Sequence, residues 1–213
     1  MAGGAQIEAR DSKNGDTPLQ KAAYFNHPNS VKTLVNVYKA FINATDKDGD
    51  SALHMAALEG HVEVVKTLLK FDNCEVNAKG ERGRTALHHA CVEGHVDCIH
   101  ALMARGAQVE TRDSKHENTP LHLAAYFNHP DSAKALVDVY KASINASTIN
   151  GQTALHYAAY SGSTDVVRVL LSNPQCDVTA RDSDGDTAAD RAQDQGHQNI
   201  VSLLEAKIEG KFF

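Results

Sequence analysis

Hydrophobic residues along the chain follow two short helical patterns that alternate. In the clearest example they recur at intervals of three and four, which places them on one face of each of two successive helices. The first stripe consists of Leu53, Ala56 and Ala57, and the second of Val62, Val65, Leu68 and Leu69. Gly60 separates the stripes and can take the left-handed conformation that ends a helix. The pattern therefore predicts a helix–turn–helix unit.

The unit recurs with a period of 34 residues. Tetrads related to Thr-x-Leu-His begin at Thr17, Ser51, Thr85, Thr119, Thr153 and Thr187. Threonine and serine are good N-caps, and Pro18 and Pro120 follow at the first helical position, where proline is tolerated. Segments rich in Asp, Asn and Gly join the units and predict turns. Since one unit cannot bury its own stripes, we expect the units to stack around a continuous core.

The unit resembles an ankyrin repeat. Residues 48–78, DGDSALHMAALEGHVEVVKTLLKFDNCEVNA, match that repeat through most of their length, and the resemblance extends from residue 7 to residue 206. It implies an all-α, right-handed solenoid of helix–turn–helix units with β-turn finger loops, whose fingers and first helices form a concave face. The implied domain spans 1–213, with repeats at 7–43, 44–77, 78–110, 111–145, 146–179 and 180–206. The last repeat is a C-terminal cap, and 207–213 form a tail.

The stretch AAYFNHP occurs twice, at 22–28 and at 124–130, within windows 9–43 and 111–145 that are identical at 24 of 35 positions. Asn26 and Asn128 stand where other units have glycine, and asparagine is well suited to a left-handed conformation. The resemblance implies that the Tyr-Phe pairs before them face the concave groove, where exposed aromatic rings are typical binding anchors. One alternative is that a ring of each pair packs beneath the neighbouring finger. Another is that the pairs are relics of a duplication.

The other candidate binding residues lie at the finger tips and at the positions that are equivalent to the Tyr-Phe pairs in the other repeats. We call this set of equivalent positions, at the ends of the first helices, the column. The third finger is basic and the last is acidic, which would orient a partner with a charge gradient, although a rim without bias is the alternative. The fourth finger, from Val109 to Thr119, is one residue longer than the third, from Val76 to Thr85, and has Glu117 in place of the usual glycine, which together predict a different bend. The predicted protein-binding residues are Lys13, Asn14, Tyr24, Phe25, Lys47, Asp48, Asp50, Leu58, Arg82, Arg84, Val92, His116, Tyr126, Phe127, Asn150, Tyr160 and Asp184.

Twelve histidines and four cysteines raise the question of metal or catalytic chemistry. The resemblance assigns the tetrad histidines to hydrogen bonds between fingers, and a further five lie in the turns between helices. The set His89, Cys91, Cys98 and His100 lacks the spacing of a closed zinc motif. Since no P-loop, GxSxG or HExxH motif is present either, we expect no enzyme, no metal and no cofactor.

Asn77 is a candidate for modification. Its surroundings, LLKFDNCEVNAKG, resemble the context that an asparaginyl hydroxylase recognises in animal ankyrin repeats. The alternative is that Asn77 is simply the turn residue that the repeat already carries.

Charge and hydropathy narrow the function further. A net charge of −6 argues against nucleic acid as a partner. No apolar run is long enough for membrane insertion, and the first residues do not form a signal peptide. Free cysteines then indicate a reducing compartment, so we expect a cytoplasmic protein, with the nucleus as an alternative.

The predicted function is a monomeric, non-catalytic protein-binding module that holds another protein, of a kind that the sequence leaves open, on its concave face. The alternative is a structural repeat segment of a larger channel, receptor or scaffold assembly.

Overall fold

The computed structural model describes residues 6–210, which form twelve α-helices in six pairs. The first helices of the pairs are α1 (Pro18–Tyr24), α3 (Ala52–Leu58), α5 (Ala86–Glu93), α7 (Pro120–Tyr126), α9 (Ala154–Ser161) and α11 (Ala188–Asp194). The second helices are α2 (Pro28–Asn36), α4 (Val62–Leu68), α6 (Val96–Met103), α8 (Pro130–Lys134), α10 (Thr164–Ser172) and α12 (Gln198–Ile208). A 3₁₀ turn spans Glu81–Gly83, and a π-helical turn, Ala135–Val139, continues α8. We number the repeats in chain order, so that α1 and α2 form repeat 1.

Every helix begins 34 residues after its equivalent in the preceding repeat, which confirms the predicted register. The described residues contain no paired strand beyond two isolated bridges, Thr45–Ser51 and Ser147–Thr153, at the bases of fingers. The fold is therefore an all-α repeat solenoid, as the resemblance implied.

The first helices start as the tetrads predict. The hydroxyl of Thr17 accepts from the backbone N–H of Gln20, whose side chain in turn accepts from the N–H of Thr17 at 2.9 Å. Histidine takes the place of this glutamine in α3, α7 and α9, and Asp190 takes it in α11. These reciprocal bonds satisfy orphan donors of the first turn and fix where each helix begins.

The chain divides into two compact units. Unit 1 contains Met1–Ala90 and Asp97–Gln108, and unit 2 contains Cys91–Val96 and Val109–Phe213. Within unit 1, α1 packs on α3 and α2 packs on α4; within unit 2, α9 packs between α7 and α11, and α10 packs on α8 and α12. The core of each unit consists of the predicted leucine, valine and alanine stripes.

A single domain over 1–213 stays a prediction, as do the repeat boundaries. Residues 1–5 and 211–213 lie outside the described range, and α12 extends through Ile208 into the predicted tail.

Asparagine does replace glycine in the repeated stretch. Asn26 and Asn128 have φ angles of 57° and 58°, close to the 71° of Gly60. Glu117 in the fourth finger also takes the left-handed conformation, at 59°, in the same region as the 79° of Gly15. The missing glycine therefore does not give this position a different backbone conformation, and the different bend of the fourth finger stays a prediction.

Candidate protein-binding surface

An aspartate at the base of a finger fixes the backbone of the finger tip through hydrogen bonds. Oδ1 of Asp11 accepts from the backbone N–H groups of Asn14 and Gly15, both at 2.8 Å. Oδ1 of Asp113 does the same for His116 at 3.0 Å in the fourth finger. These bonds hold the backbone of each tip in a fixed turn, so the tips are preorganised.

Neighbouring fingers are joined through their backbones. The N–H of Lys47 donates to the carbonyl of Asn14 at 3.0 Å in unit 1. In unit 2 the N–H of Ile149 donates to the carbonyl of His116 at 3.0 Å, and Ser183 donates to Asn150 at 2.9 Å. Three predicted binding residues, Asn14, His116 and Asn150, therefore also carry the links between fingers.

The tetrad histidines join a first helix to the next finger, as the resemblance implied. Nδ1 of His122 accepts from the N–H of Thr119 at 3.2 Å, so Nε2 carries the proton and donates to the carbonyl of Gln152 at 3.1 Å. Nε2 of His156 makes the equivalent bond to the carbonyl of Asp186, and Nε2 of His54 bonds instead to the carbonyl of Ala78, earlier in the following repeat. Burial lowers the pKa of His122 to about 4 and lowers the pKa of His54 and His156, which keeps these rings neutral.

Histidines in the turns between helices bond to backbone carbonyls of the column, where the predicted contact residues lie. Nε2 of His61 lies 2.9 Å from the carbonyl of Tyr24, and Nε2 of His197 lies 3.2 Å from that of Tyr160. His129 makes the same bond to Val92 at 2.7 Å. Each bond fixes the backbone at the end of the preceding first helix, from which the column side chains project.

The aromatic side chains of the column are exposed rather than packed beneath a finger. Their exposed fractions are 44% for Tyr24, 59% for Phe25, 41% for Tyr126, 45% for Phe127 and 45% for Tyr160. Within each Tyr-Phe pair the rings pack edge to face, with centroids 5.0 Å and 5.1 Å apart. The pairs are thus accessible, and the two rings of each pair hold each other in position.

Two column residues offer less surface than the sequence suggested. Val92 is 9% exposed, so its side chain is buried and is not available for the direct contact that we predicted. Leu58 is half-buried. Both positions are equivalent to those of exposed tyrosines in other repeats, and burial here depends on tertiary packing that residue type does not reveal.

Several predicted finger residues have structural contacts of their own. Nζ of Lys47 donates to the carbonyls of Ser12 and Lys13, both at 2.9 Å, so its charge secures the first finger. Oδ1 of Asp50 accepts from the N–H of Glu81 at 3.0 Å and lies 3.6 Å from Nε2 of His89.

Charged residues at the third and last fingers also have partners. Nε of Arg82 lies 3.2 Å from the carboxylate of Glu81, while Arg84 is half-buried. Asp184 is 73% exposed even though its carboxylate pairs with Arg191 at 2.6 Å. Lys13 and Asp48 are exposed, as predicted.

Tyrosines of unit 2 form a cluster that we did not predict from the sequence, although Tyr126 and Tyr160 were each predicted to bind. The ring of Tyr126 lies 6.5 Å from that of Tyr160, nearly parallel at 17°, and 6.0 Å from that of Tyr157 at 67°. The signal was present, because Tyr126 and Tyr160 are separated by one repeat period of 34 residues.

Arg191 is a second feature that the sequence reasoning missed. Its guanidinium lies 2.5 Å from Asp182, 2.6 Å from Asp184 and 3.4 Å from Asp186. The three carboxylates bring oxygens within 4.8 Å of one another, and Arg191 is the cation that they share, which leaves the cluster with a net negative charge. The cluster is therefore an internal ion-pair network of the last finger.

The four cysteines have no paired partner and are poor nucleophiles. Burial raises the pKa of Cys74, Cys98 and Cys176 to about 11 and raises that of Cys91 further. A thiol with such a pKa is protonated at neutral pH, and the thiolate is the reactive form.

The Asn77 side chain joins two repeats of unit 1. Its Nδ2 donates to the carbonyl of Gly106 at 3.0 Å, and its Oδ1 accepts from the N–H of Gln108 at 2.9 Å. Asn43 and Asn145 bond in the same way to the loops that follow them. This is the turn role that the alternative interpretation gave to Asn77, and its hydroxylation stays a prediction.

Comparison with known families decides the classification. A family model described as ankyrin repeats (3 copies) matches three overlapping stretches, residues 2–80, 72–148 and 139–211. The chain belongs to the ankyrin-repeat family. A search of curated proteins finds no significant match. Ankyrin repeats are generally protein–protein interaction modules and are generally non-catalytic. In the described part of this ankyrin-repeat chain, no helix is long and apolar enough to cross a membrane.

Proposed function

We propose that the protein is a non-catalytic interaction module that binds another protein through a concave face made of finger loops and first helices. The observation that carries the proposal is the column of exposed aromatic side chains, Tyr24, Phe25, Tyr126, Phe127 and Tyr160. Tyrosine is enriched among the residues that dominate binding energy, and exposed aromatic area supplies the apolar burial that association needs. The finger tips Lys13, Asn14, Asp48, His116, Asn150 and Asp184 complete the proposed surface.

Preorganisation supports the same proposal. The tips are held by Asp11 and Asp113, and the carbonyls of Tyr24 and Tyr160 are held by His61 and His197. A surface that is already ordered loses little conformational entropy on binding, so more of the contact energy appears as affinity.

The test compares capture of partners by two folded variants. One replaces Tyr24, Phe25, Tyr126 and Phe127 with alanine; the control replaces Val37 and Val139, which are exposed at equivalent positions outside the column, with alanine. Circular dichroism first establishes that both variants fold. We expect a protein captured from source-cell lysate by the wild type to be retained by the control and lost by the aromatic variant. Capture of the same proteins by all three forms would contradict the proposal.

We further propose that the module is monomeric and cytoplasmic. Four unpaired thiols suit a reducing compartment. Light scattering on the purified protein, with one mass near the 23.0 kDa of the chain as the expected result, checks the first statement. Imaging of the tagged protein in its source cells checks the second.

A second function, as a structural segment of a larger assembly, is favoured by the outer face of repeat 1. Leu34 is only half-buried there, and Ser30 is exposed. The leucines at positions equivalent to Leu34 are all fully buried: Leu68, Leu102, Leu136, Leu170 and Leu204. A groove of about 520 Å³ lined by Phe25, Leu34 and Tyr38 lies on this face. Another helix pair would bury these side chains, as α1 and α2 bury Val64 and Leu68 in repeat 2.

The native mass of the protein in its source cells separates the two functions. A stable complex that dissociates when Leu34 is changed to Glu, but not when Tyr24 and Phe25 are changed to alanine, would support the structural segment. A native species whose mass is unaffected by Leu34→Glu would contradict it.

A further inference from the structure

The two copies of AAYFNHP have different aromatic surroundings. In unit 1, Tyr24 packs edge to face on Phe25, and the next residue of its column is Leu58, which is half-buried. In unit 2, Tyr126 packs on Phe127 and also lies near the rings of Tyr157 and Tyr160. The same seven-residue sequence therefore places its two rings in an isolated pair in repeat 1 and in a larger cluster of tyrosines in repeat 4.

A surplus of negative charge lies next to the tyrosine cluster. The residue one repeat period after Tyr160 is Asp194, exposed on α11, which packs directly against the α9 helix that carries Tyr160. Arg191 lies one helical turn before Asp194, and its charge is shared with Asp182 and Asp184. Residues 181–195 contain five aspartates and two arginines, a net charge of −3. The column in unit 2 thus changes from aromatic to acidic.

We propose that this surface, defined by Tyr126, Tyr160, Asp194 and Asp184, binds an extended protein segment that carries arginines. The proposal rests on the proposed function and names the class of partner for unit 2. The face of a tyrosine ring attracts a cation, and the planar guanidinium also stacks on it, so two nearly parallel tyrosines favour arginine over an apolar or acidic side chain. The carboxylates of Asp194 and Asp184 then attract a second positive charge and repel acidic segments.

The spacing of the repeats predicts the spacing of the arginines. Packed helices lie about 8–10 Å apart, and an extended chain advances about 3.3 Å per residue. Three residues of the bound segment therefore match one repeat. An arginine stacked on Tyr126 and Tyr160 would place the third residue along beside Asp194. The expected recognition element is two arginines separated by two residues.

The test uses a fluorescent peptide made of three consecutive Gly-Ser-Arg triplets, and the readout is fluorescence polarisation with the whole chain. We expect saturable binding that weakens when salt rises from about 0.1 M to about 1 M, because the Debye length falls from about 10 Å to about 3 Å. Peptides with glutamine in place of arginine should not bind, and lysine should bind more weakly because it cannot stack as guanidinium does.

Variants of the chain locate the site. Tyr160→Ala and Asp194→Asn should each weaken binding about fivefold or more, whereas Tyr160→Phe, which keeps the ring, should change it less than about twofold. Val139→Ala is the control, since Val139 is exposed in the same unit but lies outside the column, and it should leave binding unchanged. All of these side chains are exposed, so the variants are expected to fold.

Each other outcome overturns the proposal. Absence of saturable binding, an equal effect of Val139→Ala and Tyr160→Ala, or binding that survives both Tyr160→Ala and Asp194→Asn would show that no arginine site exists on this surface. The lysate experiment distinguishes this failure from that of the proposed function. A partner that is lost with the aromatic variant while the arginine peptide does not bind leaves the interaction module standing and removes only the arginine-bearing segment as its ligand.

Discussion

At the scale of single residues, two glycines with the same backbone conformation have different reasons to be glycine. Gly94 and Gly196 both have a φ of 76° and both follow a first helix. A Cβ added to Gly94 would lie 2.4 Å from Nδ1 of His129, whereas one added to Gly196 would meet nothing within 4 Å. Gly196 is thus required by backbone conformation alone, and Gly94 by conformation and by the histidine of the following turn.

Alanine at the two positions should separate these requirements. We expect Gly196→Ala to lower the free energy of unfolding by about 1 kcal/mol, the cost of a left-handed alanine. Gly94→Ala should cost at least about 1 kcal/mol more, because His129 must move and lose its bond to the carbonyl of Val92. Urea unfolding of both variants measures the difference. In a His129→Ala background the cost of Gly94→Ala should fall to that of Gly196→Ala; an unchanged cost would show that the histidine is not responsible.

At the scale of the helix and its finger, a glutamine in repeat 1 makes the hydrogen bonds that the tetrad histidine makes in other repeats. Oε1 of Gln20 accepts from Thr17 at 2.9 Å, and its Nε2 donates to the carbonyl of Asp50 at 2.7 Å. His122 makes the corresponding bonds to Thr119 and Gln152. Glutamine therefore supplies the same donor and acceptor without a group that titrates near neutral pH.

This equivalence predicts how His122→Gln changes the pH dependence of stability. The pKa of His122 is about 4 in the folded chain and about 6.5 when unfolded, so its contribution is fully present above pH 6.5 and is lost as the pH falls toward 4. Between pH 7 and pH 5 the wild type should lose about 2 kcal/mol through this residue, and His122→Gln should not lose it. Denaturant titrations at both pH values measure the effect. His27→Gln, at an exposed position, is the control, and equal pH dependence in all three proteins would refute the assignment.

The elements were largely predictable from sequence, while the surface was predictable only in part. Threonine tetrads and the prolines at Pro18 and Pro120 determine helix starts locally, so the 34-residue register could be predicted. The π-helical turn at Ala135–Val139 could not, because the equivalent segment of repeat 1 has the same residue at three of the five positions and forms no π-helical turn. Burial of Val92 and the near-parallel Tyr126 and Tyr160 rings depend on neighbouring repeats, which local patterns do not describe.

At the scale of the whole molecule, the two ends of the repeat array differ in chemistry. The last first helix ends in polar residues, with Gln193, Asp194 and Gln195 exposed, and the role of this repeat as a C-terminal cap stays a prediction. Repeat 1 instead exposes Tyr38 and Phe41 beside the half-buried Leu34. Stability in such arrays is nearly a sum over repeats and their interfaces, so an end repeat without an outer neighbour contributes less.

Matched leucine substitutions at the two ends test this difference. Leu204 lies on the 11-residue α12 and is fully buried, so Leu204→Ala should lower the free energy of unfolding by about 2–5 kcal/mol, the usual cost of a core cavity. Leu34 already contacts solvent, and Leu34→Ala should cost only about 1 kcal/mol, because less apolar surface returns to water and no closed cavity forms. Urea unfolding of both variants gives the comparison, with Leu68→Ala as the interior reference expected to match Leu204→Ala. If Leu34→Ala cost as much as Leu68→Ala in the isolated chain, the outer face of repeat 1 would already be covered by this chain or by a second copy, and it could not be the open surface on which a larger assembly docks.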